Sequence, residues 1–442
     1  MLKRIFVIAQ SFLMAVAAEA QTEKIWTLDE CIHYAEEHNL DVRKQSLSSE
    51  KSRLALQEGK WAFAPRLSAS SSYTMSTGRV LDPTTYEFVK TNYTGNASTS
   101  VSGEMSIFEG GRKIHALSRA KLAKDATLLD DESLRYNLRI QVITLYMDVL
   151  CAREQQRIAE NTRSLVEHQL EKTKALYDAG SVIETDVLQL QAQLSAAQKD
   201  LVSAVHAHEM SKLSLCEVLE WDNYLSLEVA DPDEADLAQV QADFHAMLDG
   251  HPDVRSSVLR KDLAATDYKI ALSSMSPKLS LSAGYGTSYS DARKKAIINE
   301  DGTLKYEAYP FLQQYIDNGS AFISLSLSIP ILNGMNTRNS IRRARIAKTE
   351  AELDAVATRK KVLKQILKAR MDYLSAHEQY LHAQENLRYA EEVFSQVERK
   401  YNLGATDYLT WNTAAVELAK ARYVHAEAKY MYFLQAEVIK NM

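Results

Sequence analysis

Proline and glycine are scarce here: the 442 residues include 7 Pro and 14 Gly. Both interrupt helices, so their scarcity leaves room for very long ones. Cysteine is scarcer still. Cys31, Cys151 and Cys216 are an odd number at wide spacing, which suggests no disulfide framework and no metal-ligand pattern. Each falls in a helical pattern, where it serves as a small apolar residue. After residue 20 no apolar run reaches the ~20 residues of a membrane-spanning helix. No basic block stands out against a formal charge of −6, which argues against nucleic acid as a partner. Catalytic signatures are also missing: the chain has no P-loop, no dinucleotide fingerprint and no G-x-S-x-G. Its 11 His are scattered, and the pair His206 and His208 points to different faces of a helix. These absences lead us to expect neither an enzyme nor a bound cofactor or metal ion.

What is present begins with a leader. Lys3 and Arg4 precede an apolar run from Ile5 to Ala17, and Ala18-Glu19-Ala20 reads as a cleavage site. Residues 1–20 are therefore expected to be a signal peptide, with Gln21 as the start of an exported chain.

The stretch from Asn336 to Tyr401 has no Pro and no Gly. As one helix it would be roughly 100 Å long. Ile366, Tyr373, Tyr380, Leu387, Phe394 and Tyr401 recur every seven residues, and Ala369, Ala376, Ala383, Ala390 and Val397 follow three later. This is a heptad with large residues at a and small ones at d, the pattern of a long coiled coil.

The chain is also duplicated. Asp41 and Asp253, like Pro65 and Pro277, are 212 residues apart; Gly110 and Gly334, like Tyr177 and Tyr401, are 224 apart. The offset grows once, between the two strand segments of each half, so the second copy has a longer loop there. Residues 21–221 form the first repeat, with a helix interrupted near Asn39, a β-hairpin over 67–108 and a helical hairpin over 111–220. Residues 222–237 are the linker; residues 238–442 are the second repeat, with a β-hairpin over 279–332 and a helical hairpin over 335–440.

The strand segments alternate strictly. Leu67, Ala69, Tyr73 and Met75 oppose Ser68, Ser70, Ser72 and Thr74, whereas 76–96 reads as a loop. Leu279, Leu281 and Tyr285 oppose Ser280, Ser282, Gly284 and Gly286; after a polar loop, Ile323, Leu325, Leu327 and Ile329 oppose Phe322, Ser324, Ser326 and Ser328. An aliphatic face against a serine face over ~10 residues is the mark of a transmembrane β-barrel strand. Four strands cannot close a barrel, and open edges cannot sit in hydrocarbon. The barrel must then be shared between copies of the chain. The fold class expected is mainly α with a small transmembrane β part.

Each helical hairpin turns at a similar tip. Gly180 and Gly404 suit the left-handed position after a helix, and Ser181 or Thr185, and Thr406, are candidate caps for the returning helices. The returning helices keep the heptad, with Val187, Leu194 and Leu201 in one and Trp411 and Leu418 in the other. Glu167, Glu171, Glu391, Glu392 and Glu398 lie near the tips and are candidates for a gate or a cation-selective ring.

These residues resemble the TolC-like outer-membrane efflux family over nearly the whole chain from Thr27. Ile107-Phe108-Glu109-Gly110-Gly111-Arg112 is similar to its strand-to-helix turn, and Tyr177-x-x-Gly180 followed by Asp186-Val187-Leu188 is similar to its hairpin tip. Leu40 stands where that family usually has Pro, Thr410-Trp411 replaces Asp-Val at the second tip, and Ser395 falls where a gating Asp would be expected. The resemblance implies a homotrimer with a twelve-stranded barrel in the outer membrane of a Gram-negative bacterium and helices in the periplasm. It implies a periplasmic adaptor that contacts Tyr177, Gly180, Asp186, Val187, Leu188, Tyr401, Leu403 and Gly404. An inner-membrane pump would supply the energy, indirectly or at the tips, and outer-membrane lipid would face the strands. The function implied is a passive conduit for small toxic compounds. Two alternatives stand beside it: a channel for type I protein secretion, and a periplasmic coiled-coil structural protein with no pore.

Overall fold

A computed structural model describes residues 25–81, 88–232 and 244–441. The expected signal peptide over 1–20 and linker residues 233–237 lie outside the described residues. No helix among the described residues is long and apolar enough to cross a membrane.

Strand β1 (Ile25–Trp26) leads into helix α1 (Leu28–His38). Thr27 and Glu30 form a reciprocal capping box at its start: the Glu30 amide donates to the Thr27 hydroxyl, and the Thr27 amide to the Glu30 carboxylate at 3.0 Å. Asn39 interrupts the helix with extended ψ of 131°. Its carboxamide oxygen accepts the Asp41 amide at 2.9 Å, which starts α2 (Leu40–Trp61), and its Nδ2 donates to the Val218 carbonyl at 3.0 Å. Strands β2 (Arg66–Leu81) and β3 (Phe88–Phe108) follow, then α3 (Arg112–Asp178), α4 (Glu184–Leu219) and β4 (Glu228–Val229). The second half runs α5 (Phe244–Gly250), α6 (Pro252–Ser273), β5 (Lys278–Ser290), β6 (Lys294–Ile298), β7 (Leu304–Ala308), α7 (Phe311–Asp317), β8 (Ser320–Ser328), α8 (Asn336–Asn402) and α9 (Tyr408–Asn441). Helices α3 and α8 are each 67 residues long.

The chain divides into two compact units that cut across the sequence repeats. One comprises residues up to 48, 128–256 and from 356 onward; the other comprises 49–127 and 257–355.

The first unit is helical. In the second hairpin the heptad residues Ala369, Tyr373 and Ala376 of α8 are buried against Tyr432, Ala436 and Ile439 of α9. A larger core gathers Trp26, Cys31, Ala35, Tyr146, Leu150, Leu215, Leu219 and Phe433. β1 and β4 pair in parallel beside it. The Arg153 guanidinium donates to the Val229 carbonyl at 2.8 Å and to Asp231 at 2.6 Å, and the Tyr430 hydroxyl donates to Asp231 at 3.1 Å.

The second unit holds an antiparallel sheet in the order β2-β3-β5-β8. Three expectations are corrected here. Most of 76–96 is strand, because backbone pairing carries the β2–β3 ribbon on to Leu81 and Phe88 past one register shift at Gly78. Ile329 lies beyond the end of β8, immediately before Pro330, which cannot donate to a ladder. The polar loop of the second repeat is structured, with β6 and β7 paired and α7 following them.

Candidate functional site

The two hairpin tips, both in the first unit, close alike. The Gly180 amide donates to the Tyr177 carbonyl and the Ser181 amide to Leu176, both at 2.8 Å. At the second tip the Gly404 amide donates to Tyr401 at 3.0 Å and the Ala405 amide to Lys400 at 2.9 Å. This pair of bonds is the Schellman closure, which puts the residue after the helix in left-handed geometry. Gly180 has φ of 72° and Gly404 of 69°, values that cost glycine least.

The caps differ from expectation. α4 starts at Ile183 with no side-chain cap, so neither Ser181 nor Thr185 fills that role. At α9 the cap is Asp407, whose carboxylate accepts the Thr410 amide at 2.9 Å, and not Thr406. Hydrogen bonds from the Thr410 side chain and amide hold the Asp407 carboxyl below its usual range.

Between the tips the hairpins are joined by polar contacts. Gln169, itself buried, donates through Nε2 to the Tyr401 hydroxyl at 3.1 Å. Lys172 donates to Asn402 at 2.7 Å. Gln193 donates to Asn412 and accepts from the Tyr408 hydroxyl. Tyr401, Tyr408 and Phe394 surround the buried Trp411, with ring centroids 5.8, 6.0 and 6.3 Å away. Burial pushes the Tyr408 phenol up to about 12 and raises that of Tyr401, so both stay neutral donors and acceptors. Sequence reasoning missed this network; its signal was a set of polar residues on otherwise apolar seams.

The tip residues fall into two sets. Tyr177, Gly180, Leu188, Leu403 and Gly404 are exposed, Leu403 by 83 %. Asp186 is half-buried. Val187 lies beneath the surface in a cluster with Val166, Leu170 and Leu190, and Tyr401 is half-buried in the ring cluster. Val187 and Tyr401 thus hold the tips together from within.

The acidic residues are likewise divided. Glu391 pairs with Arg422 at 3.5 Å and Glu167 with Arg163 at 2.8 Å. Glu171, Glu392 and Glu398 form no ion pair with a described residue, and Glu171 and Glu392 are exposed.

In the second unit the sheet has two chemically distinct faces. Leu279, Leu281, Ala283 and Tyr285 lie opposite Leu327, Leu325, Ile323 and Ala321 on one face. Leu325 and Leu327 are each more than half exposed. On the other face Ser68 meets Ser102 at 3.1 Å, Ser70 meets Ser100 at 3.0 Å and Ser72 meets Ser98 at 2.8 Å. These hydroxyls pair across the strands and make this face of the sheet polar. Strands β2 and β8 each keep one edge without a strand partner among the described residues.

The chain is similar to known proteins in sequence and in fold. Outer membrane protein TolC of Vibrio cholerae is 25% identical over 235 residues, covering 52% of this chain and 50% of that protein. Pyoverdine export outer membrane protein OpmQ of Pseudomonas aeruginosa is 29% identical over 191 residues, covering 42% of this chain and 40% of that one. The chain thus matches half or less of the length of these curated relatives. The solved structure of the Campylobacter jejuni CmeC outer membrane channel superposes with a TM-score of 0.80 at 17% identity, covering 94% of this chain and 85% of that one. The model of the outer membrane efflux protein family matches residues 31–219 and 244–438, one stretch in each repeat. The chain belongs to the outer membrane efflux protein family.

Proposed function

We propose that this protein is the outer-membrane channel of a tripartite efflux system, a passive conduit for small toxic compounds that performs no chemistry of its own. The observation that carries the reading is the four-stranded sheet. It has one aliphatic face, one serine-lined face and two outer strands that each leave one edge without a strand partner among the described residues. Unpaired strand edges are too costly in hydrocarbon to be left open. Pairing β8 of one copy with β2 of the next removes both edges, and three copies give twelve strands. The aliphatic face then meets lipid and the serine face meets water.

A periplasmic adaptor would contact the exposed tip residues Tyr177, Gly180, Leu188, Leu403 and Gly404, with Asp186 at the rim. Val187 and Tyr401 would support that surface from behind. An inner-membrane pump would drive the flux. Glu171, Glu392 and Glu398, with no ion-pair partner among the described residues, are the acids that would favour cations in the tube. The name of OpmQ, an export protein for pyoverdine, supports a small-molecule cargo.

Single-channel recording in a planar bilayer tests the reading. Discrete conductance steps from purified oligomer are expected. Absence of conductance, even after both helical hairpins are truncated before their tips, would overturn it.

A further inference from the structure

The insert between β5 and β8 carries a helix whose position gives it a role of its own. On the aliphatic face of the sheet one row is polar: Ser71, Thr99 and Thr287 lie side by side on β2, β3 and β5. Ser71 and Thr99 share a hydrogen bond of 3.0 Å. Tyr315 of α7 caps this row. Its hydroxyl meets the Thr99 hydroxyl at 2.8 Å, and its carbonyl accepts from Thr287 at 2.7 Å. Phe311 packs on Tyr289 of the same face, ring centroids 4.9 Å apart.

Other bonds fix the helix there. Gln314 is fully buried; its carboxamide accepts from the Ser290 amide and donates to the Ser290 carbonyl, both at 3.0 Å. Asn318 donates to the Ser288 carbonyl at 2.7 Å. A β-carbon at Gly319 would lie 2.2 Å from the Tyr285 hydroxyl, so any larger residue there would have to displace the Tyr285 ring.

With Tyr315 and Gln314 turned inward, α7 turns Leu312 and Ile316 outward, one helical turn apart and 70 % and 69 % exposed. The Ile316 end of the helix abuts Tyr285 through Gly319, so this apolar side adjoins the aliphatic face of the sheet. From Leu279 to Thr287 is about 27 Å along the strand, or about 20 Å across a bilayer at a tilt of ~40°. That puts α7 at the far edge of an apolar band ~25 Å tall, where aromatic girdles lie. Tyr73, Tyr289, Phe311 and Tyr315 gather at that level.

We propose that α7 lies in the lipid of the outer membrane, at the outward edge of the apolar band, with Leu312 and Ile316 against acyl chains and Tyr315 sealing the polar row of Ser71, Thr99 and Thr287. This rests on the reading of the aliphatic sheet face as lipid-facing. Apolar continuity with that face is what selects lipid as the occupant.

Nitroxide labels at Leu312→Cys and Ile316→Cys, in the full-length protein reconstituted in phosphatidylcholine vesicles, test the proposal. Leu325→Cys on β8 is the lipid control and Asp301→Cys, in the β6–β7 turn, the water control; the unsubstituted protein gives the background from its own thiols. At 312 and 316 the ratio of oxygen to nickel-chelate accessibility should match that at 325 and exceed that at 301 several-fold. A nickel-accessible 312 and 316 beside a protected 325 would overturn the proposal and leave the barrel reading intact. Labels at 312 and 316 shielded from both reagents would overturn it in favour of contact with a second copy. A nickel-accessible 325 would overturn both.

Discussion

Gln169 and Tyr401, 232 residues apart in sequence, meet through one hydrogen bond of 3.1 Å between the two helical hairpins. Gln169 also donates to Thr173 at 3.3 Å, and burial keeps the Tyr401 phenol protonated. A neutral buried bond of this kind contributes about 0.5–1.5 kcal/mol. A double-mutant cycle of Gln169→Leu and Tyr401→Phe should therefore return a coupling of about 1 kcal/mol in the unfolding of the helical hairpins. Additive effects would show that the two side chains are neighbours without mutual dependence.

The left-handed helix ends give an internal comparison. Gly180, Gly404 and Glu220 all close with the same pair of backbone bonds, yet Glu220 has φ of 56° with a full side chain. Left-handed geometry costs a residue with a β-carbon roughly 1–2 kcal/mol. Gly404→Ala should lower the melting midpoint, and Glu220→Gly should raise it despite the added freedom of the unfolded chain. Equal and opposite changes are not expected, because Gly gains backbone entropy when unfolded. A fall at Glu220→Gly would mean that the Glu220 side chain has a contact worth more than the strain.

Much of this architecture was legible in the sequence, and the reasons are specific. Tyr373 sat on a seven-residue repeat, Tyr432 lies three heptads after Trp411 on the returning helix, and their rings pack 5.5 Å apart. Asn39 marked the helix break because its side chain can replace a backbone acceptor. Strand faces were legible because a serine face against an aliphatic face has period two. Where two adjacent residues could both do a job, the sequence did not choose: Thr406 and Asp407 are equally good caps on paper. α7 was hidden because seven residues are too few for a helical period to emerge from a polar loop. Val187 carried two signals, a family motif and a heptad position. The heptad was the one that described its surroundings, since the side chain is buried.

The two faces of the sheet should respond oppositely to charge. Leu325 lies opposite Leu281 on the aliphatic face, and Ser326 lies opposite Ser280 on the other. Arginine facing lipid costs about 2–4 kcal/mol at the bilayer midplane and less toward the interface, on whose side Leu325 lies, whereas a lumen position tolerates it. Leu325→Arg should reduce the yield of assembled, heat-resistant oligomer in membranes. Ser326→Arg should assemble normally and lower cation conductance. The reverse order would invert the assignment of the faces.

His208 makes the helical unit sensitive to acid. The Gln156 Nε2 donates to Glu160 at 2.9 Å, so its carboxamide oxygen faces His208 Nδ1 at 2.8 Å and must accept a proton from it. His208 Nε2 is then an unprotonated, buried nitrogen with no hydrogen-bond partner among the described residues. Burial, first, and the nearby Lys212 ammonium push its pKa below the usual 6.5; Glu209 and Glu228 oppose this, and Arg153 adds to it. Lys212 cannot withdraw, because it is itself buried and donates to Glu228 at 2.8 Å. The unfolded chain therefore binds this proton more tightly than the folded one. Stability from a neutral His208 is complete above the unfolded pKa of about 6.5 and is lost as pH falls below it toward the folded value. The melting midpoint of the wild type should fall more between about pH 7.5 and about pH 5 than that of His208→Asn, which has no proton to take up in this range. The asparagine variant should begin lower at neutral pH, because it fills less of the seam, and the two curves should converge in acid. Parallel curves would show that another group governs the acid response.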